Sequence, residues 1–340
     1  MADSALGGPR LSTVVNPQQV LQGDAPDRAI LKQIAQQHVM RRRFSQNMLI
    51  DPDVLARIAQ TVDPHAGELL VEIGPGLGFL SEALLRLPSP APLVAIDVDR
   101  NMIAALTHRL APFRQPLATS PDLATVTIHQ ADITKVPVAE LGVAHAQLNT
   151  PLSVLESEAS AAPCSLNVVG NLPYNMTAAI LFHVCGEMDA LEHPMRQRLR
   201  HLTIMIQREV ADRLVAVPNT KAFNALSLAI QTWFDPVYCF TVPPQAFHPA
   251  PKVTSAVVQL TPRTTPRMAP ECLGKVKGLI KLAFHQRRKT LRNSLAGHPQ
   301  SAILSSWLAE TLDAQGVPFA NARPEALGHA QWEAMARALL

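Results

Sequence analysis

Apolar residues in this chain collect into short, almost unbroken runs that alternate with stretches of helical spacing. Residues 68–73 (Glu-Leu-Leu-Val-Glu-Ile) run into Gly74, and Leu93-Val-Ala-Ile-Asp97 ends in an acid. Val126-Thr-Ile-His-Gln-Ala131 delivers Asp132, and Ser165-Leu-Asn-Val-Val-Gly170 delivers Asn171. Runs this apolar read as buried strands of a parallel sheet. Between them, Val54, Ile58 and Val62 recur at i, i+4 and i+8, and a further helix is predicted from about Phe79 to Leu87. Ile30 to Val39 forms a short candidate helix with Ile30, Leu31, Ile34 and His38 near one face. The βαβ alternation predicts a doubly wound α/β fold, in which the ends of successive strands share one rim. Residues 111–124 and 141–163, rich in Pro, Ala and Ser, read as loops or insertions, and from about residue 264 the pattern becomes helical.

In open α/β sheets ligands bind beyond the carboxyl ends of the strands, so the residues that follow each run are the candidates for chemistry. Gly74, Gly76 and Gly78 stand where backbone can approach a ligand closely. Their GxGxG spacing with Pro75 differs from the dinucleotide pattern GxGxxG, which disfavours a pyrophosphate cradle. Asp97, about twenty residues on, sits where a carboxylate accepts both hydroxyls of a ribose, so glycine turn and acid together suggest an adenosine-type cofactor. Asp132 suits either an adenine amine or a cap on the following segment. Asn171-Leu172-Pro173-Tyr174 offers acceptors beside an aromatic ring: Pro173 removes a backbone donor and biases Leu172 toward an extended shape. A planar, amino-bearing ring would suit this arrangement; the alternative is an ordinary strand-to-helix turn with a packed tyrosine. Arg41-Arg-Arg-Phe-Ser-Gln46-Asn47-Met-Leu49 places basic charge and two amides before a helix, as either a ligand-binding segment or a solvated basic arm.

Composition narrows the class. The chain of 340 residues is long enough for a large core and a second domain, and it is 47% hydrophobic. No apolar run approaches the roughly 18 residues of a membrane helix. No signal segment opens the sequence, and a cytoplasmic location is expected. A formal charge of +3 is only mildly basic, so any nucleic-acid argument rests on where the charge lies. Cys164, Cys185, Cys239 and Cys272 are far apart, and no HExxH occurs, so neither a metal site nor a disulfide framework is expected.

Taken in order, Phe44-Ser-Gln-Asn-Met-Leu-Ile-Asp51, Glu72-Ile-Gly-Pro-Gly-Leu-Gly78, Asp132 and Asn171-Leu-Pro-Tyr174 closely resemble the motifs of the ribosomal RNA adenine dimethyltransferases, the KsgA family. The resemblance extends through residues 207–214, 242–253 and 285–295, the last being His-Gln-Arg-Arg-Lys-Thr-Leu-Arg-Asn-Ser-Leu. It implies a Rossmann-like class I S-adenosylmethionine-dependent methyltransferase fold with a small helical C-terminal domain. The organisation expected is an extension at 1–40, the methyltransferase domain at 41–263 and an RNA-binding helical domain at 264–340.

The same resemblance implies S-adenosylmethionine as cofactor. Gln46, Asn47 and Leu49 would hold it from the amino-terminal side, Gly74, Gly76 and Gly78 would pass its methionine portion, Asp97 would bind the ribose and Asp132 the adenine amine. Asp97 stands where the family commonly has Glu, with Asp99 as a nearby competitor, and Ser81 stands where threonine is usual. Asn171 and the Leu172 carbonyl would accept the target amine hydrogens, while Tyr174 and Phe247 would stack on the flipped base. Arg287, Arg288, Lys289 and Arg292, in a wider cluster with Lys275, Lys277 and Lys281, are the expected phosphate contacts. The implied function is dimethylation of N6 on two adjacent adenosines of a small-subunit ribosomal RNA hairpin, by a monomer acting on an immature subunit. A DNA adenine methyltransferase and a non-catalytic assembly or transcription factor on the same scaffold are the alternatives; Leu172 argues against the first, and intact Asn171, Tyr174 and Asp132 against the second.

Overall fold

The computed structural model describes residues 26–37, 47–89, 91–113, 126–141, 165–313 and 315–340. Gln46, the three arginines before it, Cys164 and most of the two predicted insertions lie outside the described residues.

The strands are β1 (Met48–Leu49), β2 (Leu69–Ile73), β3 (Leu93–Asp97), β4 (Val126–Gln130), β5 (Leu166–Asn171), β6 (Leu199–Gln207), β7 (Phe234–Val242), β8 (Phe247–His248) and β9 (Ser255–Pro262). Seven of them form one sheet in the order β4-β3-β2-β5-β6-β9-β7, with β5 at its centre. Strands β2 to β6 are parallel; β9 runs antiparallel to both β6 and β7. The link between β7 and β9, residues 243–254, carries no crossover helix, so the two strands pair as a hairpin does.

The helices are α1 (Arg28–Gln37), α2 (Pro52–Val62), α3 (Phe79–Leu85), α4 (Arg100–Arg109), α5 (Thr177–Cys185), α6 (Pro194–Arg198), α7 (Arg208–Leu214) and α8 (Ala225–Trp233). Beyond the sheet follow α9 (Leu273–His285), α10 (Leu291–Ser294), α11 (Ser301–Glu310) and α12 (His329–Arg337). Alternation along the strands divides the core in two. On β2, Leu70 faces the cluster built with α1 to α4, whereas Leu69, Val71 and Ile73 face a cluster that continues through α5 and α8 into α9 and the C-terminal helices. Both faces are therefore dry, which is why the sequence shows runs and not alternation. The two edge strands are the exceptions: on β4 only Val126 is buried, and on β7 only Phe234, Phe240 and Val242.

Helix α2 starts where Asp51 accepts from the Val54 amide and Pro52 fills the first turn. Helix α1 is present, but its buried residues are Leu31 and Ala35, and Ile30 is 48% exposed, so the face that packs is rotated from the one predicted. None of the helices among the described residues is long and apolar enough to cross a membrane.

Candidate active site

A cavity of about 400 Å³ opens above the carboxyl ends of β2, β3 and β5. Gly74 and Gly76 form part of its wall, and Gly78 does not. All three have positive φ (67°, 56° and 79°), a conformation that side chains disfavour. Their reasons differ. A Cβ on Gly76 would lie 3.0 Å from the Met48 sulfur, and one on Gly74 would meet the Asn171 carbonyl only at 3.7 Å. A Cβ on Gly78 would come within 2.6 Å of Leu106, so that glycine lets α3 pack against α4. The first two keep the wall bare, and the third holds the helix beneath it.

Asp97 ends β3 with both carboxylate oxygens engaged: Oδ1 accepts from the Asp99 amide at 2.8 Å and Oδ2 from the Gly76 amide at 3.2 Å. The glycine turn thus positions the acid. Burial raises the Asp97 pKa, opposed by those amide hydrogen bonds. Asp99, the competing acid, is buried, caps α4 through the Asn101 amide and forms no part of the cavity wall. Asp132 is a cap on the following segment and also stands on the cavity wall. Its Oδ1 accepts from the amide and hydroxyl of Thr134, which lower its pKa.

Glu72 opens the glycine motif in the sequence, which assigns it no role. It lies on the cavity wall, 1% exposed, and its Oε2 accepts from the Ser81 hydroxyl at 2.5 Å. Burial pushes its pKa up to about 8; the Ser81 hydrogen bond lowers it and the Asp97 charge raises it further. Serine at position 81 therefore supplies the hydroxyl this carboxyl needs.

Asn171, Leu172, Pro173 and Tyr174 leave the central strand along the cavity, followed on the wall by Asn175 and Met176, which the sequence did not single out. Asn171 Nδ2 donates to the Asn47 carbonyl at 3.3 Å. The Leu172 amide donates to the Met205 carbonyl, and the Pro173 carbonyl accepts from the Met176 amide and the Thr177 hydroxyl. Tyr174 bonds through its hydroxyl to Ser255 at 2.6 Å. Asn47 and Leu49 also line the cavity, Asn47 adjoining Asn171. Phe247 is not brought to the wall. It is 3% exposed and pairs with Leu49 across β1 and β8, in the core cluster built with α1 to α4.

The basic cluster divides as well. Lys275 donates to the Leu339 carbonyl, Lys277 to Asp189, and Arg287 to the Lys221 carbonyl. Arg288, Lys289 and Arg292 are exposed, together at the turn from α9 to α10.

Residues 37–314 match the family described as Ribosomal RNA adenine dimethylase. The chain is 38% identical over 259 residues to Ribosomal RNA small subunit methyltransferase A of Aromatoleum aromaticum, covering 76% of this chain and 82% of that protein. Identity to the protein of the same name from Burkholderia ambifaria is 36% over 312 residues, covering 89% and 96%. Among solved structures it shares its fold with the 23S rRNA methyltransferase ErmE (TM-score 0.56, 21% identity, 86% of this chain and 99% of that one). It shares it also with a dimethyladenosine transferase from Plasmodium falciparum (TM-score 0.57, 18% identity, 85% and 95%). The class I methyltransferase fold that the resemblance implies is common to both. With a match that spans most of its length and relatives above one-third identity, this chain belongs to the ribosomal RNA adenine dimethylase family.

Proposed function

We propose that this protein dimethylates N6 of two adjacent adenosines in a small-subunit ribosomal RNA hairpin, with S-adenosylmethionine as methyl donor and an immature ribosomal subunit as the substrate particle. The observation that carries the reading is the Asn171 amide held by Asn47 on the wall of the same cavity that gathers the glycine turn, Asp97 and Asp132. The named relatives support the choice of RNA.

The donor set fits this cosubstrate. A cavity of about 400 Å³ lies in the range of small-molecule sites, roughly 300 to 1,000 Å³. Asp97, fixed by the Gly76 and Asp99 amides, is our candidate for the ribose hydroxyls, and Asp132 for the adenine amine. Bare backbone at Gly74 and Gly76 leaves room for the methionine portion beside Glu72, with Asn47 and Leu49 on the same cavity wall. The cosubstrate supplies an electrophilic methyl group.

An exocyclic adenine nitrogen is a poor nucleophile because its lone pair is delocalised into the ring. With Asn171 Nδ2 committed to Asn47, Oδ1 is the amide's acceptor. The Leu172 carbonyl, which the family resemblance implies, is our candidate for the second acceptor; the Pro173 carbonyl already accepts from the Met176 amide and the Thr177 hydroxyl. Two fixed acceptors on the two amine hydrogens favour the tetrahedral nitrogen, which is transition-state stabilisation without a strong base. Tyr174 provides a flat surface for an extruded base, an interaction worth about 1 to 3 kcal/mol. Phe247 is paired with Leu49 in the core and is not part of the proposed base platform. Arg288, Lys289 and Arg292 are proposed phosphate contacts of a C-terminal RNA-binding unit at 264–340.

The test is incubation of the purified protein and labelled S-adenosylmethionine with undermethylated small ribosomal subunits, followed by nucleoside analysis. Dimethyladenosine that disappears with Asn171→Ala is expected. Absence of transfer despite measured cosubstrate binding would favour an assembly factor or another RNA target.

A further inference from the structure

Strand β9 opens with a residue whose side chain does not suit its place. Ser255 is 0% exposed and precedes Ala256, Val257 and Val258, all equally buried. Its backbone pairs on one side with Gln207 of β6 and on the other with Val242 of β7, so its position is fixed by both neighbours. A hydroxyl in such a place requires a partner. That partner is Tyr174, 81 residues away, whose oxygen lies 2.6 Å from Ser255 Oγ.

The ring of Tyr174 is consequently held at both ends. At its root, the turn is closed by the Met176 amide donating to the Pro173 carbonyl, and Leu172 is tied to Met205 of β6. At its tip, the hydroxyl is anchored to the sheet. A tyrosine side chain has two soft torsions, and fixing both ends of the ring removes them. Burial raises the Tyr174 pKa, so the hydroxyl keeps its proton and remains able to donate.

We propose that Ser255 is a positioning residue for RNA methylation: it orients the Tyr174 ring as a preformed platform for the target base. The inference rests on the assignment of Tyr174 to base stacking made above. It predicts that the energetic value of Ser255 to the reaction passes through the Tyr174 hydroxyl, because Ser255 itself is buried behind that residue.

The experiment is a double-mutant cycle on undermethylated small subunits, with Ser255→Ala, Tyr174→Phe and their combination, plus Ser255→Thr and Tyr174→Ala. Steady-state KM for subunits, kcat, cosubstrate Kd by calorimetry and thermal stability are read for each. Tyr174→Phe breaks the same contact without touching the buried strand, which guards against a folding defect in Ser255→Ala. We expect Ser255→Ala and Tyr174→Phe each to raise KM for subunits about fivefold, the factor corresponding to about 1 kcal/mol for a lost hydrogen bond. The double variant should lose no more than either single one, Ser255→Thr should restore most of the KM, and cosubstrate Kd should stay constant. Wild-type KM in a folded Ser255→Ala, or losses that add in the double variant, would overturn the proposal while Tyr174→Ala still impaired subunit binding. If Tyr174→Ala itself left KM and kcat unchanged, the stacking assignment would fail first, and the role of Ser255 with it.

Discussion

Asn171 and Asn47 stand 124 residues apart in the chain, and the side-chain amide nitrogen of the first donates to the backbone carbonyl of the second at 3.3 Å. This contact selects one orientation of an amide whose two ends differ in chemistry but hardly in shape. Asn171→Ala removes both the acceptor and its anchor. The expected loss is about 3 kcal/mol of transition-state stabilisation, roughly a hundredfold in kcat, with cosubstrate Kd changed far less. Asn171→Asp keeps the acceptor but meets the Asn47 carbonyl with an oxygen, so its kcat should fall too. Single-turnover methylation of small subunits separates these outcomes from a binding defect.

Glu72 makes stability depend on pH. In the folded, ligand-free protein its carboxyl holds a proton up to about pH 8, whereas its ordinary value is 4.5. Between those values the folded state binds the extra proton. The stability it contributes is therefore fully present below the lower value and is lost as pH rises through about 8. Glu72→Gln should flatten that decline, by an amount on the order of a few kcal/mol. Urea melts of both proteins at about pH 5 and about pH 9 measure it; equal slopes in the two would contradict the assignment.

The glycines of one motif should fail in different ways. Gly78→Ala drives a methyl group into Leu106 at 2.6 Å and should lower stability by about 1 to 3 kcal/mol, added to the strain of a left-handed backbone. Gly76→Ala meets the flexible end of Met48 at 3.0 Å, so less stability is lost to packing, and cosubstrate affinity falls instead because the wall is no longer bare. Thermal melts paired with cosubstrate titrations distinguish the two patterns.

Replacing Arg288, Lys289 or Arg292 by alanine should weaken subunit binding and reduce the salt dependence of log K by about 0.7 to 0.9 per phosphate contact removed. Lys277→Ala should leave that slope alone, because the ammonium is spent on Asp189 at 2.8 Å. Its stability cost should be under about 1 kcal/mol, since both partners of that pair are partly solvated. Filter binding across a salt series is the measurement.

Phe247→Leu separates packing from stacking. As a core residue beside Leu49, Phe247 should tolerate leucine with little change in KM for subunits, while alanine should cost about 3 to 5 kcal/mol of stability. A leucine variant that folds normally and yet binds subunits poorly would restore the stacking role suggested by sequence.

Much of the site was legible in the sequence because the fold obeys local rules. Dry runs at 69–73, 93–97 and 166–171 have to be interior parallel strands, and in such a sheet their ends share one rim; Gly74, Asp97 and Asn171 thus came together from pattern alone. The turn chemistry of Pro173 was likewise local. Other features depended on which distant strand lay alongside. Ser255 reads as an ordinary strand residue until β9 is inserted between β6 and β7, which brings its hydroxyl to Tyr174. Glu72 reads as one charge in a strand until burial on both sheet faces removes water from it. Arg287 and Arg288 are the same residue side by side, yet one is half-buried and bonded to the Lys221 carbonyl and the other is left to solvent. Periodicity and turn residues determine which elements form and where each ends, because those depend on neighbours in the chain. Sheet order and packing decide which side chains are oriented, dehydrated or already partnered, because those depend on groups that only the folded chain brings within hydrogen-bond reach.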